Sequence, residues 1–595
     1  MKARIGAAIS NKDTRVLILI VGLGILLRVL ALPLVQVVDA DAVTRVFVSK
    51  KWLLDPNFIT EGVWPPLHYY FNAVVIWMTG SYITAPIVAH MLMAAFTAVP
   101  IYKFTKREVS KKGAWLAALL YVLSPIIFRN SFHTLSGIPY CFFVALGFNA
   151  LSLAIRERNV RQAIYAGLFL TVASGFRYEA WLLIALLTGI TVYFRLWRIM
   201  LFFWLFSMIF PLFWMIGNYV AHHDFFYGLS GAYKWNIILE GVNANVPIDK
   251  KVLRWLYFPL TWFFIFSPIV ASWLGFKLVS KWRRKELKLS LFVWAVPFWV
   301  MLFTFMYKAS EGTLLLQTRF TSSLILLSIP FTGLLIDEMI WNKTRRLILG
   351  LVIASILPLS YFWITVQYQD WFPKDTLPEK VMLAYRSNTL LSCNALPRLE
   401  DQGIARMSNE INKNLSPDDG LILDFWSWQS SYYFALYSNL DPSQIYQVNG
   451  ATNAPEYVIF VKELLEKCPK GVIVLKCNSK FRDLYDIDGD LIVFKTIDEH
   501  TIRLTPISDN GHLYVYKYDL VEAGATTDTS KGIELCPIPF SRNHFRNSVK
   551  DNLAWYQECV LKSHDEGTPI DQIIEGMVDW VINDRLERGQ KTIGD

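Results

Sequence analysis

The chain has 595 residues, of which 54% are hydrophobic and 15% aromatic, and its formal net charge is +9. The charge is unevenly divided, because residues 1–366 contain 35 Lys and Arg against 15 Asp and Glu, whereas residues 367–595 contain 23 against 34. The basic excess lies in short loops between apolar runs, as is typical of cytoplasmic loops in membrane proteins, and it does not indicate a nucleic-acid partner. The composition excludes a wholly soluble protein.

Eleven apolar runs in residues 1–366 predict transmembrane helices, since roughly 17–25 residues are needed to cross the hydrocarbon core. The basic clusters fall in alternate gaps, which predicts a cytoplasmic N-terminus and an extracytoplasmic C-terminal domain. The first run is too long for a cleavable signal peptide. The interrupted pattern at 162–194 leaves open a pair of short helices or one re-entrant hairpin. The runs are residues 16–34, 83–105, 113–131, 137–155, 162–178, 180–194, 199–221, 256–276, 289–307, 320–340 and 347–366.

Residues 367–595 have the composition of a soluble domain. The chain is therefore predicted to be a polytopic α-helical membrane protein with a C-terminal extracytoplasmic α/β domain. Short apolar runs predict buried strands at 420–423 and 471–475, and antiparallel edge strands at 491–494 and 513–516. Helices are predicted at 428–437, 455–466 and 570–588, the last of them amphipathic.

Five of the six cysteines lie in this C-terminal domain, which the predicted topology places in an oxidising compartment. Five is an odd number, so at most two bridges form and one thiol remains. Closeness in sequence alone suggests the pairs Cys468/Cys477 and Cys536/Cys559.

Two carboxylates, Asp39 and Asp41, follow the first predicted crossing on its outer side. An Asp-x-Asp pair can coordinate a divalent cation, or one of its members can act as a general base. The alternative is a structural role, in which Asp41 caps the N-terminus of a helix, because Val43, Val46 and Phe47 follow at helical spacing. The two roles are compatible.

An aromatic turn follows at residues 64–70, and it begins with Trp64 and contains two prolines and His68. His68 near a carboxylate can bind phosphate or transfer a proton. The alternative is an interfacial aromatic belt with a proline kink, in which Trp64 only marks the membrane surface.

Two further groups of polar residues lie near the predicted outer face. Arg177, Tyr178 and Glu179 interrupt an apolar pattern. Arg177 could hold a lipid phosphate, and Glu179 could orient that phosphate or the acceptor. The alternative is a purely structural ion pair between Arg177 and Glu179. Arg319 could form paired hydrogen bonds to a phosphate, or it could be a snorkelling interfacial arginine.

The long outer loop at 222–255 mixes aromatic and basic residues, and it contains Lys234. Its length and composition suit a lid over a sugar phosphate. His222, His223 and Asp224 are a weak candidate for a metal site, because they are consecutive in the sequence.

The order of these motifs resembles the GT-C class of integral-membrane glycosyltransferases. The resemblance is closest to the family-39-like branch, which includes protein O-mannosyltransferases and aminoarabinose transferases, and it covers residues 14–366. It depends on the acidic first outer loop and on four further segments. They are Pro65-Pro66-Leu67-His68-Tyr69-Tyr70, the run at 114–125, Phe176-Arg177-Tyr178-Glu179-Ala180-Trp181 and Thr318-Arg319-Phe320.

The resemblance implies a polyprenyl-phosphate-linked sugar donor, an inverting transfer and a catalytic carboxylate in the first outer loop. That role falls on Asp41, with Asp39 as second choice. Several relatives have a further acidic residue after the third crossing, whereas residues 129–137 of this chain contain none. Either Glu179 takes that role or this branch lacks it, which leaves metal dependence and the acceptor class open.

The sequence therefore predicts an enzyme of the plasma membrane that transfers a sugar from a polyprenyl phosphate to an acceptor hydroxyl on a glycan, lipid or protein. A secondary transporter or lipid flippase would predict inverted repeats and charged or broken helices at the midplane. A non-catalytic scaffold with an outer binding domain would not need Asp41. A phosphoethanolamine transferase would need a nucleophile and metal ligands in the soluble domain.

Overall fold

A computed structural model describes most of the N-terminal part of the chain and selected segments of the C-terminal part. In the N-terminal part it describes residues 12–32, 40–58, 64–82, 84–240, 248–267 and 289–339, with further positions between 270 and 356. In the C-terminal part it describes residues 411–424, 440–447, 465–476, 493–497, 500–509, 513–521 and 568–587, with a few isolated positions.

The chain divides into two compact units. The first comprises Met1–Pro33, Trp52–Tyr385 and Leu390–Asn394, and the second comprises Leu34–Lys51, Arg386–Thr389 and Ala395–Asp595. The predicted domain boundary at residue 366 lies outside the described residues and stays a prediction. The assignment of Leu34–Lys51 to the second unit was not anticipated, because this segment carries the candidate carboxylates of the first outer loop.

The described part of the first unit is helical. Its helices up to the middle of the unit are Lys12–Ala31, Leu67–Thr79, Thr84–Phe96, Ala98–Phe104, Ala114–Leu123, Pro125–Asn130, Gly137–Glu157, Val160–Phe176 and Glu179–Tyr193. They continue with Trp197–Ser207, Ile209–His222, Tyr227–Glu240, Ile248–Ile265, Leu289–Ser310, Thr321–Ser328 and Leu334–Met339. A π-helix at Thr105–Val109 and 3₁₀-helices at Thr318–Phe320 and Ile329–Gly333 extend their neighbours. The helix Ala40–Leu54 begins in the second unit and ends in the first.

Among the described residues, five helical segments are long and apolar enough to cross a membrane, or six if a bent pair forms one span. The chain is therefore an integral membrane protein, whereas the count of eleven crossings and the orientation of the termini stay predictions. The segments are Lys12–Ala31, Thr84–Val109, Gly137–Glu157, Ser290–Ser310 and Thr318–Asp337, and the bent pair is Trp197–Ser207 with Ile209–His222.

The interrupted run at 162–194 forms two helices, Val160–Phe176 and Glu179–Tyr193, which meet at Arg177 and Tyr178. The first of these helices packs closely on its neighbours through glycines, as is common between membrane helices. A Cβ atom on Gly167 would lie 2.7 Å from the carbonyl oxygen of Phe203. The break between the two helices consists of Arg177 and Tyr178, and Glu179 is the first residue of the second helix.

Arg28 of the first helix is fully buried, and its guanidinium group is satisfied by protein atoms. It donates hydrogen bonds to Ser131 Oγ at 2.9 Å, to the carbonyl oxygen of Gly24 at 3.0 Å and to that of Val122 at 3.1 Å. The guanidinium carbon also lies 5.0 Å from the centroid of the Phe128 ring. A charged side chain is costly at membrane depth, and here it ties the first helix to residues 122–131.

The second unit contains a six-stranded mixed sheet in the order β2-β1-β3-β6-β5-β4. Three strands are parallel, and β6, β5 and β4 continue the sheet in antiparallel pairs. The buried core includes Ile422, Ile473, Leu475, Ile502 and Tyr516. The strands are β1 Gly420–Asp424, β2 Ile445–Gln447, β3 Lys470–Lys476, β4 Val493–Ile497, β5 His500–Asp509 and β6 Leu513–Val521.

The predicted strands at 420–423 and 471–475 are present as β1 and β3. The predicted edge pair is only partly right: β6 lies inside the sheet and pairs with β3, and the unpredicted strand β5 separates it from β4. The amphipathic helix is present as Ile570–Glu587, with Ile574 and Val578 buried. Most of the predicted helices at 428–437 and 455–466 lies outside the described residues.

The suggested disulfide Cys468/Cys477 does not form in this structure, whereas Cys536 lies outside the described residues and the pair Cys536/Cys559 stays a prediction. Cys468 is a free, buried thiol. Cys559 is also buried, and its Sγ donates a hydrogen bond to Sδ of Met577 at 3.7 Å. Closeness in sequence was a poor guide, because pairing requires suitable geometry between the two cysteines, which sequence spacing does not supply.

Candidate functional site

The helix Ala40–Leu54 carries the candidate base Asp41 in its first turn. Because the helix already begins at Ala40, Asp41 is not its N-cap, and the capping interpretation is wrong. A carboxylate in the first turn still interacts favourably with the helix dipole. Asp41 is partly exposed, whereas Ala42, Val43 and Val46 are buried. Asp39 lies outside the described residues.

The break at Arg177 holds an ion pair between neighbouring residues of the first unit. Arg177 Nε donates to Glu179 Oε1 at 3.0 Å, and Nη2 donates to the same oxygen. The side chain of Arg177 is 15% exposed and that of Glu179 is 21% exposed, so both charges are largely withdrawn from solvent. Glu179 also experiences the positive charge of Lys308.

Arg319, in the 3₁₀-helix Thr318–Phe320, lies beside the same aromatic ring as Arg177. Its guanidinium carbon lies 5.5 Å from the centroid of the Phe320 ring, and that of Arg177 lies 4.9 Å from the same centroid. The structure therefore brings together two arginines that are far apart in sequence. In this arginine cluster, formed by Arg177, Arg319 and the Phe320 ring, Arg177 is paired with Glu179. Guanidinium groups placed in this way can bind an anion through charge-assisted hydrogen bonds.

The stretch at 129–137, which contains no carboxylate, borders this cluster. Asn130 Nδ2 donates to the carbonyl oxygen of Arg319 at 3.3 Å. A Cβ atom on Gly137 would lie 3.8 Å from Nη1 of Arg177. Gly137 therefore borders Arg177, whose guanidinium group is paired with Glu179.

Tyr178 faces an aromatic group beside the arginines. Trp214 Nε1 donates to Tyr178 Oη at 3.2 Å, and the Tyr178 and Trp181 rings meet edge to face at 5.5 Å. The first turn of the helix Tyr227–Glu240 packs here, since a Cβ atom on Gly228 would lie 3.4 Å from Trp214 Cζ2. Lys234 is exposed on that helix, six residues further on.

His68 is fully buried in the first turn of the helix Leu67–Thr79, and its ring lies 4.6 Å from that of Tyr69. The start of this helix packs against the end of Val160–Phe176, because a Cβ atom on Gly175 would lie 2.8 Å from Leu67. Gly175 is two residues before Arg177. The helix Leu67–Thr79, which contains His68, therefore borders the arginine cluster. Trp64 is partly exposed just before the helix.

No group of three or more His, Cys, Asp or Glu side chains is placed to hold a metal ion among the residues that the structure describes. The weak metal candidate at His222, His223 and Asp224 is therefore wrong. His223 ends a helix with a φ of 56°, and Asp224 Oδ1 accepts a hydrogen bond from the backbone of Phe226 at 2.8 Å. A cation at Asp39 and Asp41 stays a prediction.

Two residues of the site were missed by the sequence reasoning. Trp214 was hidden in a long apolar run, where an indole N–H gives no periodic signal. Asn130 lies in the stretch that was inspected only for carboxylates, although a buried amide in a membrane segment is itself a signal of a hydrogen-bonded site.

Comparison with known proteins gives a family match and a fold. Residues 63–216 match the family model described as dolichyl-phosphate-mannose-protein mannosyltransferase. No curated protein sequence matches the chain. The matched segment includes His68, Arg177 and Glu179, and it ends before Arg319.

Two solved structures of ArnT from Cupriavidus metallidurans are similar to this chain. The form bound to undecaprenyl phosphate gives a TM-score of 0.54 at 12% identity, and the match covers 84% of this chain and 97% of that one. The apo form gives a TM-score of 0.52 at 12% identity, covering 85% and 98%. The predicted resemblance to GT-C class glycosyltransferases is confirmed. The TM-score of 0.54, at 12% identity, shows that this chain and ArnT share a fold.

Proposed function

We propose that this protein is an integral-membrane glycosyltransferase that moves a sugar from a polyprenyl-phosphate donor to an acceptor hydroxyl. The observation that carries the proposal is the approach of Arg177 and Arg319 to one ring, that of Phe320. Guanidinium groups bind phosphate through paired, charge-assisted hydrogen bonds. The ArnT structure with the same fold is bound to undecaprenyl phosphate, which supports a lipid phosphate as the ligand.

In the proposed reaction the acceptor oxygen attacks the anomeric carbon of the donor sugar. A bond forms between that oxygen and that carbon, and the bond from the carbon to the phosphate oxygen breaks with inversion. Asp41 accepts the proton of the hydroxyl as general base, a contribution that is typically about 10²–10⁴-fold. The polyprenyl phosphate leaves as an anion, and its charge is stabilised by Arg177 and Arg319.

Other residues of the site have supporting roles in this proposal. Glu179 keeps Arg177 in place through their ion pair. His68 lies on the helix that packs beside Gly175, where it is a further candidate for the phosphate. Tyr178, Trp64 and Lys234 are proposed to contact the sugar or the acceptor. The acceptor class stays open among glycan, lipid and protein, and reaction on the extracytoplasmic face is part of the proposal.

The test is sugar transfer by the full-length protein in proteoliposomes, with a panel of radiolabelled polyprenyl-phosphate sugars. We expect transfer or slow donor hydrolysis by the wild type, and a loss of at least about 10²-fold in Asp41→Asn, because an amide cannot accept the proton. The matched control is Asp55→Asn, which alters an exposed carboxylate just after the same helix.

The possible outcomes separate the parts of the proposal. Full activity in Asp41→Asn would exclude Asp41 as base and would favour Asp39 or Glu179. An absence of turnover with every donor, from a wild-type protein that is folded and inserted, would count against the enzyme assignment itself.

A further inference from the structure

The helix that carries Asp41 is attached to the C-terminal domain near its other end. Lys50 Nζ donates a hydrogen bond to the carbonyl oxygen of Leu440 at 3.4 Å, across 390 residues of sequence. Both residues belong to the second compact unit. The carboxylate of Asp441, the next residue, attracts the ammonium group of Lys50.

Lys50 is withdrawn from solvent at this contact. Burial lowers the pKa of the Lys50 ammonium below its ordinary value, and the attraction of Asp441 acts in the opposite direction. A desolvated ammonium group needs hydrogen-bond acceptors, since an unsatisfied buried charge is strongly destabilising. The Leu440 carbonyl is such an acceptor, and Leu440 itself is 4% exposed.

The turn that receives Lys50 is held by its own hydrogen bonds. Asp441 Oδ1 accepts from the backbone N–H of Ser443 at 2.8 Å and from its hydroxyl at 2.7 Å. Gln444 Nε2 donates to the carbonyl oxygens of Pro417 at 2.8 Å and of Asp419 at 3.1 Å. The turn leads directly into β2, and Asp419 directly precedes β1. Lys50 is thereby connected to the parallel edge of the sheet.

The helix between Lys50 and Asp41 is one rigid element. Nine residues at 1.5 Å each separate the two side chains by about 13 Å along the axis. Ala42, Val43, Val46 and Phe47 are all 6% exposed or less, so the intervening turns are packed. A shift or tilt of the helix at Lys50 is therefore transmitted to Asp41.

We propose that Lys50 is a positioning residue, through which the C-terminal domain fixes the helix that carries the catalytic carboxylate. The inference deepens the proposed function and rests on it, because it gives the C-terminal domain a role in the transfer step. Lys50 touches no substrate and acts through Asp41. A misplacement of about 1 Å in a catalytic group can lower the rate by about 10²-fold.

The experiment compares Lys50→Met, Lys50→Arg and Lys51→Met in full-length protein in proteoliposomes. Methionine keeps the apolar stem of Lys50 but removes its donors, arginine keeps a donor, and Lys51 is exposed on the same helix. We expect Lys50→Met to lower kcat by about 10-fold or more with the donor KM within about twofold, as expected for lost positioning. Lys50→Arg should recover a substantial part of kcat, and Lys51→Met should match the wild type.

A second readout does not depend on catalysis. Hydrogen exchange of the backbone amides of residues 40–51 should become faster in Lys50→Met and stay unchanged in Lys51→Met. Equal exchange in the two variants, or equal kcat, would overturn the anchoring role. A wild type without transfer activity would remove the proposed function, whereas the exchange result would still decide whether Lys50 anchors the helix.

Discussion

The ring of Phe320 lies against two guanidinium groups, those of Arg177 and Arg319. Two cations at one place repel each other, and here one of them is paired with Glu179 and both face the electron-rich ring. Guanidinium groups in such an arrangement can also bind an anion. The arrangement accounts for arginine at both positions, because arginine can stack on a ring and bind a phosphate at the same time.

Substitutions of Arg319 test whether this charge binds the donor. Arg319→Gln should lower kcat/KM for the lipid donor by about 10–100-fold, since a hydrogen bond to a charged group contributes roughly 1.5–3 kcal/mol. Arg319→Lys should give an intermediate loss, because it keeps the charge without the planar fork. Steady-state kinetics with varied donor measure the effect.

The control for this prediction is Arg198→Gln, which removes an exposed arginine at the start of another helix. A kcat/KM for the donor that is the same in Arg319→Gln, Arg198→Gln and the wild type would contradict a phosphate site at Arg319.

The sequence marked the charged residues of the candidate site but not their neighbours. Arg177, Glu179 and Arg319 were recognisable because charges are rare in apolar sequence. The hydrogen bond from Asn130 to Arg319 spans 189 residues, and the shared contact with Phe320 depends on how distant helices pack. Such contacts have no local signal in a single sequence.

At the scale of helices, Gly175 allows two helices to pack closely. They are Leu67–Thr79, which contains His68, and Val160–Phe176, which ends just before Arg177. A Cβ atom on Gly175 would lie 2.8 Å from the Leu67 side chain, whereas a Cβ on Gly189 would have nothing within 4 Å. The two glycines lie in neighbouring helices and therefore form a matched pair for testing the role of close packing.

Gly175→Ala should destabilise the protein and lower its turnover of donor, because overpacking typically costs about 1–3 kcal/mol and displaces the Leu67–Thr79 helix. Gly189→Ala should be neutral or stabilising, since alanine favours a helix over glycine by about 1 kcal/mol. Thermal unfolding in detergent and donor turnover are the measurements. A Gly175→Ala variant as stable and active as Gly189→Ala would show that Gly175 and Leu67 are not tightly packed.

Hydrophobic runs predicted most described helices, but not where they break. The run at 113–131 is divided at Ser124, because Pro125 cannot continue the preceding helix and instead begins the next. The strand β5 was missed because it contains Pro506 and a register shift between Pro506 and Ser508, which disturb the alternating pattern.

At the scale of the whole molecule, the uneven charge agrees with a membrane part followed by a soluble domain. The assignment of Leu34–Lys51 to the second unit could not be predicted, since this segment follows the first apolar helix directly and contacts residues about 390 positions later. The state of the cysteines was equally inaccessible, because it depends on the geometry of the sheet.

The C-terminal sheet should lose stability at alkaline pH. Burial raises the pKa of the Cys468 thiol and of the Tyr518 phenol above their usual values. A group with a raised folded pKa stabilises the fold fully below its unfolded pKa, about 8.5 for Cys and 10 for Tyr, and this contribution is lost as the pH rises toward the folded pKa. The denaturant midpoint of this domain, followed by proteolysis of the full-length protein, should be lower at pH 10 than at pH 8.

The variant Cys468→Ser provides the comparison for this pH dependence. It removes one titrating group and keeps Tyr518, so the fall between pH 8 and pH 10 should be smaller than in the wild type. A midpoint that does not change with pH in the wild type would show that these groups titrate alike in the folded and unfolded states.

The two helices that meet at Arg177 are short for a bilayer. At 1.5 Å per residue, the 17 residues of Val160–Phe176 and the 15 of Glu179–Tyr193 extend only about 25 Å and 22 Å. A typical hydrocarbon core is about 30 Å thick. If both helices cross the bilayer as the sequence predicts, local thinning of the lipid relieves this hydrophobic mismatch. A lipid head group could then reach Arg177 and Arg319 at a depth that only acyl chains occupy elsewhere in the membrane.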